Sequence, residues 1–339
     1  MEPLFPHHLR AIPKVDLHRH LDCSMRWSTL VELAPQVGIE LPSEHQLLRE
    51  RFLITEQMRD LGSVLRKFLT AQKVLASREI LTRLAFEACE DAYNDGVLLM
   101  ELRYAPTFIT EGHSHLDFHA IHESFLAGIK MATSRWPMAV GLICIIQRTK
   151  SLQEAELVCQ FALEHADSFV GLDLADNEDG FEARPFADIF ARAKKAGLRI
   201  TIHAGESPGP QAAQRVREAV EILGAERIGH GVQVVHDPLV LDFVRERGVV
   251  LEVCPISNWL TRAFPRWADH PIRKLIASGV KITINSDDPG IFGTTLTDDY
   301  FVLHQVHGLG LEYFRQMNEV AAAASFISEG EKNRVWRVR

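Results

Sequence analysis

The sequence has little that would tie it to a membrane or a secretory route. Its longest uninterrupted apolar run, Met138–Ile146, is nine residues, under half of the roughly 20 that a spanning helix needs. The opening Met1-Glu2-Pro3-Leu4-Phe5-Pro6-His7-His8 has neither the basic region nor the apolar stretch of a signal peptide. Cysteine is scarce: the five thiols, Cys23, Cys89, Cys144, Cys159 and Cys254, are odd in number and include no C-x-x-C pair. They read as reduced side chains in the cytoplasm. Positive charge is also short. With 37 Lys+Arg against 45 Asp+Glu the net charge is −8, which suits solubility and not a phosphate backbone. Neither nucleic acid nor a membrane is an expected partner. HExxH, the paired cysteines of structural zinc and the H-x-E with P-C-x-x-C of cytidine deaminases are missing as well.

What remains is an ordinary globular composition, 46% hydrophobic and 24% charged over 339 residues. That length allows two domains or one large α/β barrel. No Pro/Gly/Ser linker or low-complexity tract divides it. Strand-like runs are expected at Lys14–His18, Val97–Tyr104, Ala139–Ile146, Phe169–Ala175, Leu198–His203, Arg227–Gly229, Val249–Cys254 and Lys281–Asn285. Most are continuously apolar, as parallel strands buried on both faces must be. Amphipathic stretches such as Leu152–Ala166 and Pro238–Arg247 lie between them, the latter stopped by Gly248. Eight strands alternating with helices predict an α/β fold, a (β/α)8 TIM barrel occupying residues 1–339 as one domain. A doubly wound open sheet is the alternative, but no GxGxxG follows the first strand. The stretch 27–95 is too long for one crossover and is expected to be a helical insertion lying over the first strand's end as a lid.

Reactive side chains fall at the ends of these strands. His18 and His20 close the first, His203 closes the fifth, His230 follows the sixth, and Asp287-Asp288 follow the eighth. A barrel gathers all those ends on one face. Alone, each has a plainer reading. His113-Ser114-His115 shows the same H-x-H spacing in a polar loop and is expected to be solvent-exposed. His203 could be a core histidine, Glu206 a helix-start carboxylate, and Asp287-Asp288-Pro289-Gly290 a turn. Together, imidazoles at i and i+2 of an extended strand can grip one ion. Three histidines and an aspartate suit Zn²⁺ with a position left for water.

Beyond this the sequence resembles the adenosine deaminase family of the amidohydrolase superfamily, from about Pro13 to Phe326. The likeness rests on Val15-Asp16-Leu17-His18-Arg19-His20-Leu21-Asp22, Gly171-Leu172-Asp173-Leu174, Ile202-His203-Ala204-Gly205-Glu206, Arg227-Ile228-Gly229-His230-Gly231, Cys254-Pro255-Ile256-Ser257-Asn258 and Ser286-Asp287-Asp288-Pro289. The resemblance implies a (β/α)8 barrel with one zinc ion that hydrolyses the 6-amino group of a purine to the 6-oxo compound and ammonia. By position, His18, His20, His203 and Asp287 would hold the metal. Glu206 would donate a proton, His230 would orient the attacking water, and Asp288 would contact the purine and the water. Zinc lowers the pKa of bound water from about 15.7 to about 7, and protonation of ring N1 makes C6 electrophilic. Asp22 would accept a hydrogen bond from a ribose 5′-hydroxyl and repel a 5′-phosphate; its plainer reading is a helix N-cap.

Two positions depart from the family pattern. Cys23 stands where a glycine usually follows His-Leu-Asp, and Asp176 stands where a glycine amide would meet purine N3. These changes leave the metal chemistry untouched and bear on the substrate. An adenosine-like nucleoside is the first expectation. Adenine or another 6-aminopurine such as 6-amino-deoxyfutalosine is the alternative in class, and a non-catalytic binding relative is the third. Asp173 reads as a partner of a metal histidine or a member of a barrel-core ion pair.

Overall fold

The structure, a computed structural model, describes residues 5–58 and 61–336. The apolar runs become eight parallel strands, each hydrogen-bonded to the next in chain order. They are β1 (Lys14–His20), β2 (Val97–Tyr104), β3 (Ala139–Gln147), β4 (Phe169–Ala175), β5 (Arg199–Ala204), β6 (Arg227–His230), β7 (Val250–Val253) and β8 (Lys281–Ile284). Their residues are buried with few exceptions, because helices cover the outer face and the barrel interior covers the other. The ring closes between its ends. Leu17 N–H donates to Asn285 Oδ1 at 2.9 Å, Asp287 N–H to His18 O at 2.9 Å, and His20 N–H to Asp287 O at 2.8 Å. The fold is a (β/α)8 barrel.

The same bonds explain why β1 runs two residues beyond the expected His18. His20 pairs with Arg103 of β2 on one side and with the Asp287 carbonyl on the other, which keeps it extended. β6 likewise reaches His230 through its pairing with Ala204. Helix ends follow local chemistry. Ser151 and Glu154 form a capping box before Leu152–Glu164, Asp237 caps Pro238–Arg247, and Gly248 ends that helix at φ 66°.

Between β1 and β2 lie the helices Trp27–Leu33, His45–Phe52, Leu61–Val74 and Arg78–Asn94. The last packs in the outer ring against Phe118–Thr133. Phe52 is core, whereas Ile54 and Phe68 cluster with Cys23, Ile256, Leu260, Ile291 and Phe292 near the strand ends. His113 departs from expectation. It is buried, with Nε2 2.9 Å from the Gln72 carbonyl, because its loop packs against the end of the Leu61–Val74 helix; His115 is exposed as expected. Among the described residues no helix is long and apolar enough to cross a membrane. All five cysteines are buried and unpaired.

Candidate active site

The strand ends converge as the topology requires. His18 Nε2 and His20 Nε2 each lie 3.3 Å from Asp287 Oδ1, and His20 Nε2 lies 3.2 Å from His203 Nε2. These four residues form one metal-competent cluster. A tetrahedral ion about 2.0–2.1 Å from each donor would hold the donors roughly 3.3 Å apart, so the spacing already fits. His18 Nε2 is buried with no hydrogen-bond partner, an orphan that a cation would satisfy.

The far nitrogens are fixed by carboxylates. His18 Nδ1 is 2.8 Å from Glu252 Oε2, and His203 Nδ1 is 2.9 Å from Asp173 Oδ2. This is the arrangement that orients metal-binding imidazoles and selects their tautomer. Asp173 thus stands between His203 and the core ion pairs, since it also accepts from Arg103 Nη1 at 2.8 Å. Arg103 in turn meets Glu252, and Arg227 joins Glu252 to Glu101, all fully or almost fully buried. Buried charges on this scale persist only when paired. Gly229 makes room for the cluster: a Cβ there would stand 2.8 Å from His18 Cε1.

Protonation states suit a cation. Burial, aided by the charges of His203 and His18 and opposed by Asp287, holds His20 well below the ordinary histidine range. Burial raises Asp287, but the close approach and charge of His18, with His230 and His20, outweigh it and keep the carboxyl well below its usual value. Its neighbour goes the other way. Burial first, then the charges of Asp287 and Asp22, push Asp288 well above the carboxylate range.

Around the cluster stand the other predicted residues. His230 Nε2 is 3.5 Å from Glu206 Oε2 and 3.9 Å from Asp287 Oδ2, and Asn258 meets its Nδ1 at 3.0 Å. Glu206 Oε1 accepts from Thr261 Oγ1 at 2.9 Å. Its backbone is clamped by the buried Glu178, whose carboxylate accepts from the amides of Gly205, Glu206 and Ser207 at 2.8–2.9 Å. Asp22 is buried. Its Oδ2 accepts from Ala105 N–H at 3.1 Å while Oδ1 has no partner, and burial pushes the carboxyl up to about 7. Its side chain lines the pocket and caps no helix. Asp176 is exposed on the pocket wall, where Thr149 Oγ1 donates to its Oδ2 at 2.5 Å. Its φ is 83°, a conformation easy for glycine, and His230 and Asp287 each stand at 60°. Strained backbone thus gathers at the pocket.

The pocket holds about 610 Å³ and is lined by all nine predicted residues except His18, whose side chain lies beneath it at the base of the cluster. Ile54, Met58, Phe68 and Leu69 of the insertion form an apolar wall. Glu178, Glu252, Asn258 and Thr261 had escaped functional reading. Glu252 carried a signal as one acid within the buried apolar run Val250–Val253, and Asn258 lay in a motif of the resemblance without a role assigned to it.

A barrel with a His/Asp metal-competent cluster at its strand ends, flanked by a carboxylate and a further histidine, has the architecture of a metal-dependent hydrolase. The chain belongs to the adenosine deaminase family, whose sequence profile matches residues 13–337. It is 38% identical over 326 residues to the adenosine deaminase of Serratia proteamaculans, covering 95% of this chain and 96% of that one. Among solved structures, the adenine deaminase of Arthrobacter aurescens superposes with a TM-score of 0.87 at 28% identity, covering 96% of this chain and 97% of the other. An amidohydrolase of Burkholderia ambifaria with bound zinc superposes with a TM-score of 0.85 at 25% identity, over 97% and 89%.

Proposed function

We propose that this protein is a zinc-dependent hydrolase that deaminates an adenosine-like nucleoside, releasing ammonia and leaving a 6-oxo purine. The observation that carries the reading is the meeting of three imidazole Nε2 atoms and Asp287 Oδ1 beside Glu206 and His230. His18, His20, His203 and Asp287 would hold the ion, which when bound supplies a water acidified enough to attack at neutral pH. Glu206, steadied by Thr261 and by the Glu178 clamp, delivers a proton to purine N1. His230, fixed through Asn258, faces Glu206 and Asp287 and orients the attacking water. Asp288, whose carboxyl is pushed well above its usual range by burial and by Asp287, lines the pocket and contacts the purine ring and the water. The unpartnered Asp22 Oδ1 is placed to accept from a sugar hydroxyl. The insertion 27–95 acts as the lid through the apolar wall formed by Ile54, Met58, Phe68 and Leu69.

A second reading within the same chemistry has its own support. Asp176 brings a carboxylate to the wall where the family pattern has a bare glycine, and the pocket of about 610 Å³ leaves room for a modified substrate. Ammonia release from adenosine, deoxyadenosine, adenine and 6-amino-deoxyfutalosine decides between them. Turnover of the nucleosides is expected, and turnover of only the last two favours the second reading. Inertness towards all four, with metal bound, overturns both.

A further inference from the structure

A second cavity, of about 360 Å³, shares no lining residue with the catalytic pocket. Arg10, Arg19, Arg26, Asp91, Asp95 and Thr294 are among its walls. Arg19 lies between the two histidines of β1, and strand alternation turns it away from them into this cavity. Its residue is only 5% exposed, and its Nε donates to Ser24 Oγ at 3.1 Å. Among the described residues no acceptor meets its two terminal nitrogens and no carboxylate pairs with it. That separates it from the other buried arginines. Arg103 and Arg227 each bind two carboxylates, and Arg148 spends its guanidinium on the carbonyls of Leu174 and His203.

The acids on the cavity wall are already engaged. Asp91 accepts from Arg26 Nε through both oxygens at 2.8 Å, and Asp95 accepts from Thr297 N–H and Oγ1 at 2.9 and 2.6 Å. Arg10 reaches Asp95 only at 3.6 Å and is largely exposed. The Thr294 hydroxyl is buried and has no hydrogen-bond partner. A buried guanidinium with no carboxylate in ion-pair contact is costly. Asp16 acts on Arg19 only through its charge, and the cavity wall also carries a second arginine and Thr294, whose hydroxyl is unpartnered.

We propose that this cavity binds a phosphoryl oxyanion, either free phosphate or the phosphate end of a small phosphomonoester. Arg19 supplies a two-pronged grip, and Arg10 and Thr294 complete it from other directions. Donors arriving from several directions fit a tetrahedral anion better than a planar carboxylate. The site is joined to the metal cluster by one residue: Ser24 accepts from Arg19 and donates to the His20 carbonyl at 2.6 Å. Gly290, packed so closely that a Cβ would stand 2.5 Å from the Met25 carbonyl, brings the segment after Asp288 to the same wall.

Calorimetric titration of the full-length, metal-loaded protein tests this at constant ionic strength, with inorganic phosphate in one arm and glycerol 3-phosphate in the other. Saturable binding at one site per chain is expected, weakened at least about tenfold by Arg19→Gln and measurably by the milder Thr294→Val. Tighter binding of inorganic phosphate identifies a free-ion site, and equal or tighter binding of the ester a phosphomonoester site. No saturable binding in either arm, or the same affinity in wild type and both variants, overturns the proposal.

Discussion

Glu206 is held from two sides. Thr261 fixes its carboxylate, and Glu178 gathers the three amides around it, so the side chain has little freedom left to lose when substrate arrives. Glu206→Gln preserves the shape and the acceptor for Thr261 but removes the transferable proton. We expect kcat to fall about 10²–10⁴-fold, the usual cost of losing a general acid, with metal content by atomic emission unchanged. A kcat within a few-fold of wild type would take the proton-donor role from this residue. The strained φ values of His230 and Asp287 belong to the same scale. Both stand at φ 60°, and both side chains reach the cluster.

At the scale of elements, the strands set the site, and one buried histidine at a helix start ties stability to pH. His270 is buried just before the helix Ile272–Ser278, and its Nδ1 accepts from Ile272 N–H at 3.2 Å. Burial first, then the charge of His307, lowers its pKa from 6.5 to about 3. The unfolded chain therefore binds this proton more tightly than the folded one. The associated stability is full above pH 6.5 and is lost as pH falls towards 3. Asn at this position keeps an acceptor for Ile272 and cannot titrate. Between pH 7 and pH 4.5, urea unfolding should show wild type losing roughly 2–3 kcal/mol more than His270→Asn. Equal losses in the two proteins would contradict the buried neutral imidazole. The strand ends were legible in the sequence because apolar continuity marks buried parallel strands and topology then fixes where their ends meet. The supports were less so. Asp173 and Glu252 are single acids inside apolar strands, which signals a buried counter-charge without saying which one. Glu178, Asn258 and Thr261 act through distances that only the folded ring defines. His113 misled because a polar loop reads as solvated, and its packing against a neighbouring helix end leaves no local trace.

In the whole molecule, closure of the barrel is what makes chemistry from residues as far apart in sequence as His18 and Asp287. The Asn285–Asp287 segment that seals β8 to β1 also delivers the fourth donor, so one set of hydrogen bonds completes both the fold and the cluster. Beneath it, Arg103, Arg227, Glu101, Asp173 and Glu252 form a buried charged floor that holds two of the three imidazoles at their far nitrogens. The most direct measurement is anomalous diffraction at the zinc edge from crystals of the zinc-loaded protein. One peak per chain is predicted, bonded to the Nε2 atoms of His18, His20 and His203 and to Asp287. A peak on other residues, or none from protein that still releases ammonia from its substrate, would contradict the assignment.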